Sequence, residues 1–201
     1  LESADEFCKR IEDSMKQERS RAITEMKELA CLEELEKRCK DEVPQNLAQE
    51  KENELLQEFF RNLQQQNMTF DIYLKQRGIS PAEFKVGLKE QAENTVKDDM
   101  CLDSWAKEKN IKVSDGELED EFKQADANNY KKLMEDWAKQ GRLYIVRAAI
   151  KRQKAMKQIV KDAVITEISM EQLKEKNEKK AKEREAHIKK LVEEDETTRK
   201  E

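Results

Sequence analysis

The side chains best suited to bind a soft metal or to act as nucleophiles are four cysteines and one histidine. They are Cys8, Cys31, Cys39, Cys101 and His187. No two of the cysteines form a C-x-x-C pair, and the histidine lies within a run of charged residues. Because a structural zinc site needs about four clustered ligands, the sequence predicts no metal site. We expect four reduced thiols that fill small apolar positions in a protein of a reducing compartment.

Paired carboxylates could supply a general acid and a general base, and Asp98-Asp99 and Glu193-Glu194 are such pairs. Charged residues make up 42% of the chain, so these pairs cannot be distinguished from solvated helix surface. The phosphate-binding patterns G-x-x-x-x-G-K-S/T and G-x-G-x-x-G are absent, as are a nucleophile elbow and H-E-x-x-H. We therefore predict no catalytic residue and no cofactor.

The composition of the 201 residues narrows the class of protein further. Apolar residues make up 36% of the chain and aromatic residues 5%, and the net charge is −5 with both signs interleaved. A nucleic-acid partner would call for a basic face, and a membrane span would need about 20 consecutive apolar residues, so neither partner is predicted. No signal peptide pattern is present, and because the chain begins at Leu1 we expect upstream residues in the native protein.

Helix-breaking residues are scarce, with four glycines and two prolines. Good helix formers dominate the rest, so the sequence predicts an all-α fold. A first helix is predicted from Ser3 to Asp41, and Val43-Pro44 should end it because the residue before a proline avoids the α region. The next helix, from Pro44, carries a wide apolar stripe that ends near Gln64.

Side-chain caps predict where several later helices begin and end. Thr69 should cap a short helix that closes at Gly78, and Ser80 with Glu83 should form a capping box. A second capping box, at Ser114 and Glu117, should start another helix. The run 143–150 has the lowest polarity in the chain, so we expect it to be the most buried stretch.

From Glu171 onward the chain is mostly Lys, Glu and Arg. Ser169 and Gln172 offer a helix cap, and charge pairs four residues apart can support a solvated helix. The apolar residues form no sustained heptads, so a coiled coil is not expected. A solvated helix or a frayed tail is the favoured interpretation, and a partner-binding helix is the alternative.

The middle of the chain contains a series of helices and turns in a characteristic order. A short helix and a glycine turn at Gly78 lead to a helix that contains Ala92-Glu93. An I-x-V-S-x-x-E-L restart follows over 111–118, and the next long helix ends in AVITEIS over 163–169. In order and spacing, residues 7–168 resemble the C-terminal domain of bacterial trigger factor, a ribosome-associated chaperone.

The resemblance implies an all-α fold with an extended helical body and two protruding helical arms, and a chaperone domain over residues 1–168. The charged C-terminal helix or tail over 169–201 departs from the family pattern, because it is longer than the family usually shows, and its role is open. The implied first arm contains the helices over 44–66 and 82–109, and the second contains 114–163.

The resemblance also implies ATP-independent binding of nascent and unfolded polypeptides in the bacterial cytoplasm. The ribosome-docking and prolyl-isomerase domains of the family lie upstream of the matched region. We therefore expect neither isomerase activity nor direct ribosome binding from this chain, which we interpret as a fragment or a truncated member. Self-association stays open.

Apolar residues on or near the implied first arm are the candidate client-binding residues. They are Leu55, Leu56, Phe59, Phe60, Leu63, Met68, Phe70 and Tyr73. For each of them, packing within the arm is the competing interpretation, because a stripe at helical spacing is usually core. Met68 is the best candidate for an open contact, since methionine adapts to varied partners.

Two other classes of protein fit the same features. A periplasmic chaperone of the SurA type has a related helical module, and an N-terminal truncation would hide its signal peptide. A scaffolding helical protein is the alternative outside chaperones, and one defined partner would favour it.

Overall fold

The structure is a computed structural model that describes residues 4–166 and 168–198. Those residues form eight α-helices and no strand, which confirms the all-α prediction. The helices are α1 (Ala4–Glu36), α2 (Gln45–Gln65), α3 (Phe70–Arg77), α4 (Pro81–Glu108), α5 (Asp115–Ala125), α6 (Tyr130–Lys139), α7 (Leu143–Asp162) and α8 (Met170–Thr198).

The predicted caps of α3 and α4 are present. The Thr69 hydroxyl accepts a hydrogen bond from the N–H of Ile72 (3.4 Å), and Gly78 ends α3 in the left-handed region at φ 65°. At the start of α4, the N–H of Ser80 donates to Glu83 Oε2 (2.7 Å) and the N–H of Glu83 donates to Ser80 Oγ (3.1 Å). These bonds satisfy backbone groups that a helix end leaves without partners.

Caps also set the starts of α5 and α8, as predicted. Ser114 and Glu117 form the reciprocal capping box of α5. At α8, the N–H of Gln172 donates to Ser169 Oγ (3.2 Å), and the N–H of Ser169 donates to Gln172 Oε1 (3.0 Å). The charged C-terminal region is therefore helical over Met170–Thr198.

The end of α1 and the start of α2 differ from the predicted positions. The N–H groups of Arg38 and Cys39 both bond to the Leu35 carbonyl, which closes the last turn of α1 before Asp41. Pro44 has ψ 127° and is the N-cap of α2 rather than its first helical residue. Its carbonyl still accepts the first helical bond, from the N–H of Ala48 (3.1 Å).

The chain divides into two compact units. The first contains the chain up to Lys40 and Asp99–Ile165, and the second contains Asp41–Asp98 and the chain from Thr166 onward. The C-terminal part of α4 belongs to the first unit, and α8 belongs to the second together with α2, α3 and the start of α4. The division into a chaperone domain over 1–168 and a tail over 169–201 stays a prediction.

The first unit has two apolar cores. One is centred on Leu118, which is fully buried, with Phe122 and Ile150, and the Trp137 ring meets Phe122 edge-on at 5.9 Å. The other contains Leu102 together with Ala106 and Ala155, both fully buried. Small side chains at such positions let helices approach closely.

An ion-pair cluster joins α7 to α4 beside the second of these cores. The Arg152 guanidinium lies 2.6 Å from Asp99 Oδ2 and 2.6 Å from Asp103 Oδ2. The hydrogen bond to Asp103 is the main cause that raises the pKa of Arg152. The pairing offsets part of the desolvation cost of a half-buried cation.

The expectation that 143–150 would be the most buried stretch is wrong. Tyr144 is 69% exposed and Ile145 is 41% exposed, whereas Ile150 is buried. Leu143, Val146 and Ile150 face the core because they follow one face of α7. The low polarity of this run reflects apolar residues on several faces of the helix, and only one of those faces is covered.

Candidate functional site

Five aromatic side chains of the second unit contact one another, and we call them the aromatic cluster. They are Phe59 and Phe60 of α2, Phe70 and Tyr73 of α3, and Phe84 of α4. Phe59 is central, with ring centroids 4.7 Å from Phe84 and 4.9 Å from Tyr73. Most of the pairs are edge-on or tilted, the arrangement that ring quadrupoles prefer.

Local sequence explains how α3 presents two rings to the cluster. Phe70 and Tyr73 are three residues apart, so they share one face of the helix. Thr69 and Gly78 fix where that single short helix starts and stops. The Ser80 cap then places Phe84 in the first turns of α4, where its ring meets Phe70 at 5.0 Å.

A groove of about 740 Å³ lies beside the aromatic cluster, within the second unit. Side chains of α2, α3, α4 and α8 line it. The apolar lining residues are Leu55, Phe59, Tyr73, Ile79, Phe84, Leu88 and Ile188. Charged side chains also line it, among them Glu58, Glu83, Arg77, Arg184 and Lys189. The lining therefore combines apolar surface with charged groups that could interact with a bound polypeptide.

Glu83 is held ionised in the groove wall. The N–H of Ser80 donates to its carboxylate, and this bond is the main reason that the pKa of Glu83 lies below its ordinary value. Lys189 of α8 lowers the pKa of Glu83 further through its charge. The groove therefore carries a fixed negative charge near neutral pH.

The structure places the eight predicted site residues in different environments. Leu63 is buried at 6% exposure, which corresponds to the packed alternative, whereas Phe60 is 43% exposed. The other six are partly buried: Leu55, Leu56, Phe59, Met68, Phe70 and Tyr73. Of the eight, Leu55, Phe59 and Tyr73 line the groove. Their role in binding clients stays a prediction.

Four large apolar residues that line the groove were not among the candidates, namely Ile79, Phe84, Leu88 and Ile188. Phe84 and Leu88 share one face of α4 by their spacing, so a stripe was visible there. Ile188 is one apolar residue within a charged run, and this pattern alone does not predict a position in a groove. Nothing local in the sequence indicates that these residues converge with α2.

Large apolar side chains are also exposed outside the groove. On α1, Phe7 is 49% exposed, Met15 is 64% exposed and Leu29 is 59% exposed. Between α7 and α8, Val164 is 98% exposed. Exposed apolar surface of this extent often marks an interaction site.

Within residues 4–166 and 168–198, no cluster of three or more Cys, His, Asp or Glu side chains is arranged to hold a metal ion. None of the helices described there combines the length and the apolar character that crossing a bilayer requires.

Comparison with known proteins gives one consistent family. The family model described as "Bacterial trigger factor protein (TF) C-terminus" matches residues 3–161. Trigger factor from Shouchella clausii is 26% identical over 167 residues, which are 81% of this chain and 38% of that protein. Trigger factor 2 from Desulfitobacterium hafniense is 30% identical over 118 residues, 59% of this chain and 27% of that protein.

A shorter segment is more similar to trigger factor from Bacillus subtilis. That protein is 40% identical over 76 residues, which are 37% of this chain and 18% of its own length. No solved structure gives a significant match. The chain spans less than two fifths of the length of these curated relatives.

Proposed function

This chain belongs to the family of bacterial trigger factor C-terminal domains, and from that premise we propose that it is an ATP-independent chaperone that binds nascent and unfolded polypeptides. The observation that carries the proposal is the partly open aromatic cluster and its adjoining groove. Rings that stay partly accessible while they hold one another in place can contact clients without a large loss of side-chain freedom.

Weak contacts suit this function. A surface that accepts many sequences cannot be shaped to one of them, so each contact is modest. Several contacts along one flexible client add through effective concentration, which raises avidity about 10²–10⁴-fold over a single site. The exposed apolar residues of α1 and of the segment after α7 are candidates for such additional contacts.

The charged surroundings suit release as well as binding. Charged residues make up 42% of the chain, and they keep exposed apolar surface soluble. With weak contacts and no cofactor, clients leave by dissociation and folding rather than by nucleotide hydrolysis. We propose that the chain works in the bacterial cytoplasm and has neither a nucleic acid nor a membrane as partner.

We propose that residues 1–201 carry neither prolyl-isomerase activity nor the ribosome-docking function of the family. We propose that residues 1–168 form the chaperone domain and that 169–201 form an appended charged segment. The chain alone is expected to leave the rate of X-Pro isomerisation in a test peptide unchanged.

An aggregation assay on the full chain tests the proposal. A denatured client is diluted into buffer with equimolar chain, and light scattering is followed. Wild type should suppress scattering, and Phe60→Ser should suppress it less because this exposed ring is lost. Arg61→Ser, at the adjacent exposed position, is the matched control. If wild type fails to suppress aggregation of several unrelated clients, the chaperone proposal is wrong.

A further inference from the structure

The charged helix α8 contributes to the lining of the groove. Arg184, Glu185, Ile188 and Lys189 lie in its wall together with residues of α2, α3 and α4. From residue 174 to residue 187 every side chain of α8 is exposed, and Ile188 is the first that is partly buried. The helix therefore contacts the groove through one short section centred on Ile188.

An ion pair accompanies this apolar contact. Arg184 Nε lies 3.4 Å from Glu90 Oε2, and the Glu90 side chain is only 21% exposed. That carboxylate oxygen is itself buried and has no hydrogen bond among the described residues. Because a buried carboxylate oxygen needs a compensating partner, the cation supplied by α8 stabilises the wall of the groove.

A second charge interaction involves the residue after Ile188. The positive charge of Lys189 lowers the pKa of Glu83, the carboxylate held ionised by the Ser80 cap. Ile188 is thus flanked by cations at positions 184 and 189, and Arg184 forms an ion pair with Glu90 of α4. An apolar anchor beside a charged contact resembles the way an amphipathic helix binds in a groove.

The apolar stripe of α8 is thin outside Ile188. Its other partly buried apolar side chains are Leu173, Leu191 and Val192. The ion pair Lys179–Glu183 (3.9 Å) lies within the helix and supports only the helix itself. A helix with such a thin apolar stripe binds weakly compared with a core helix, so its contact with the groove is reversible.

We propose that α8 is a displaceable wall of the groove, so that the chain partly covers its own client site until an unfolded polypeptide displaces the helix. The inference rests on the proposed chaperone function. It assigns a role to the charged segment after residue 168. Bound α8 covers the apolar wall in the absence of clients, and its polar outer face stays in water.

Docking of α8 lowers the apparent affinity for clients, because only the fraction of chains in which the helix has left the groove binds them at full strength. The anchor is a single isoleucine with one partly exposed ion pair, so the closed state is favoured only modestly. Release of α8 is therefore expected to raise client affinity about threefold to tenfold.

The test uses the full chain and two neighbouring substitutions, Ile188→Asp and His187→Asp. Both add one negative charge and one residue of low helix propensity to the same turn. His187 is exposed and does not line the groove, so His187→Asp controls for damage to α8 itself. Far-ultraviolet circular dichroism confirms that both variants keep their helix content.

Two measurements separate docking from client binding. Binding of the apolar dye bis-ANS and amide exchange over residues 180–193 report whether α8 has left the groove. Fluorescence anisotropy of a labelled, permanently unfolded polypeptide reports client affinity. In Ile188→Asp, dye binding and amide exchange should rise, and client affinity should increase about threefold to tenfold. In His187→Asp all three should stay near wild type.

A charge exchange tests the ion pair independently of the apolar anchor. Arg184→Glu should release α8 and raise client affinity, because it places a carboxylate against Glu90. The double variant Arg184→Glu/Glu90→Arg restores an attractive pair and should return dye binding and client affinity toward wild type. Such reversal is the signature of a direct interaction between the two side chains.

The outcomes distinguish this inference from the proposed function. If Ile188→Asp matches His187→Asp in dye binding, amide exchange and client affinity, the proposed occupancy is overturned. If Ile188→Asp raises dye binding but no variant binds a client, the proposed function fails and so does the claim of self-inhibition. An increase in client affinity confined to Ile188→Asp and Arg184→Glu supports both.

Discussion

Phe59→Ala tests most directly how the second unit is held together. The Phe59 ring contacts the four other rings of the aromatic cluster, and the nearest is Phe84 at 4.7 Å. Truncation of a core phenylalanine to alanine costs about 3–5 kcal/mol. Because Phe59 is only partly buried, we expect a loss near the lower end, about 3 kcal/mol of unfolding free energy.

Phe60→Ala is the matched control on the adjacent residue. Its ring is 43% exposed and meets two members of the cluster, Phe59 at 5.6 Å and Phe70 at 5.9 Å. Full burial of a phenylalanine contributes about 1.5–3 kcal/mol. Roughly half of that burial is achieved here, so Phe60→Ala should cost about 1 kcal/mol.

Urea unfolding of the full chain, followed by circular dichroism, measures the two losses. The tryptophans, Trp105 and Trp137, lie in the first unit, so their fluorescence reports that unit separately. Amide exchange over 45–98 then localises the destabilisation to the second unit. If Phe59→Ala costs no more than Phe60→Ala, ring contacts through Phe59 do not stabilise this unit.

Three further predictions concern single positions. The hydrogen bond from Lys154 is the main cause, and the Ser114 cap the next, that lowers the pKa of Glu117 from 4.5 to about 2. The stabilisation that these contacts give the folded chain is therefore present above pH 4.5 and is lost as the pH falls toward about 2. The melting temperature of Glu117→Gln should be below that of wild type near neutral pH and converge with it near pH 2. Gly78 has φ +65° in open space, so Gly78→Ala should destabilise by about 1 kcal/mol through backbone strain alone. Gly87 lies in the interior of α4 with nothing near an added Cβ, so Gly87→Ala should stabilise by about 0.5–1 kcal/mol; thermal unfolding of both alanine variants checks the opposite signs.

Helix starts were predictable from the sequence because their causes are local. At Ser114, the cap and its reciprocal partner Glu117 are three residues apart, and both hydrogen bonds form without any tertiary contact. The same holds for Thr69 and Ser80. The end of α1 was misplaced because the hydrogen bonds to Leu35 that close it have no distinctive residue type.

The burial of individual side chains was harder to predict, because it depends on which apolar face of a helix packs against residues distant along the chain. Ile145 and Ile150 are equally apolar in sequence, yet Ile145 is 41% exposed and Ile150 is 7% exposed. The difference comes from packing against Leu118 and Phe122, residues distant along the chain. The contribution of Ile188 to the groove depends on distant contacts in the same way.

The core residues of the second unit explain why its aromatic rings stay accessible and why its groove benefits from a cover such as α8. Its buried apolar residues are Ala48, Leu63, Leu74, Ala92 and Val96, none of them aromatic. The five clustered rings are thus left partly accessible rather than enclosed in a core. Such accessible rings suit client binding, but an uncovered apolar groove also favours association between copies of the chain.

In our proposal, α8 protects the apolar groove from association between copies of the chain and still lets clients bind. It is too polar to form a core of its own, and its outer face keeps the covered groove soluble. A more apolar helix would close the groove permanently, and a helix without Ile188 would leave it open. Because the anchor is limited to one branched side chain and one ion pair, the closed state stays weak enough for several client contacts to displace it. The charged segment is therefore better explained as a cover for the groove than as a solubilising tail alone.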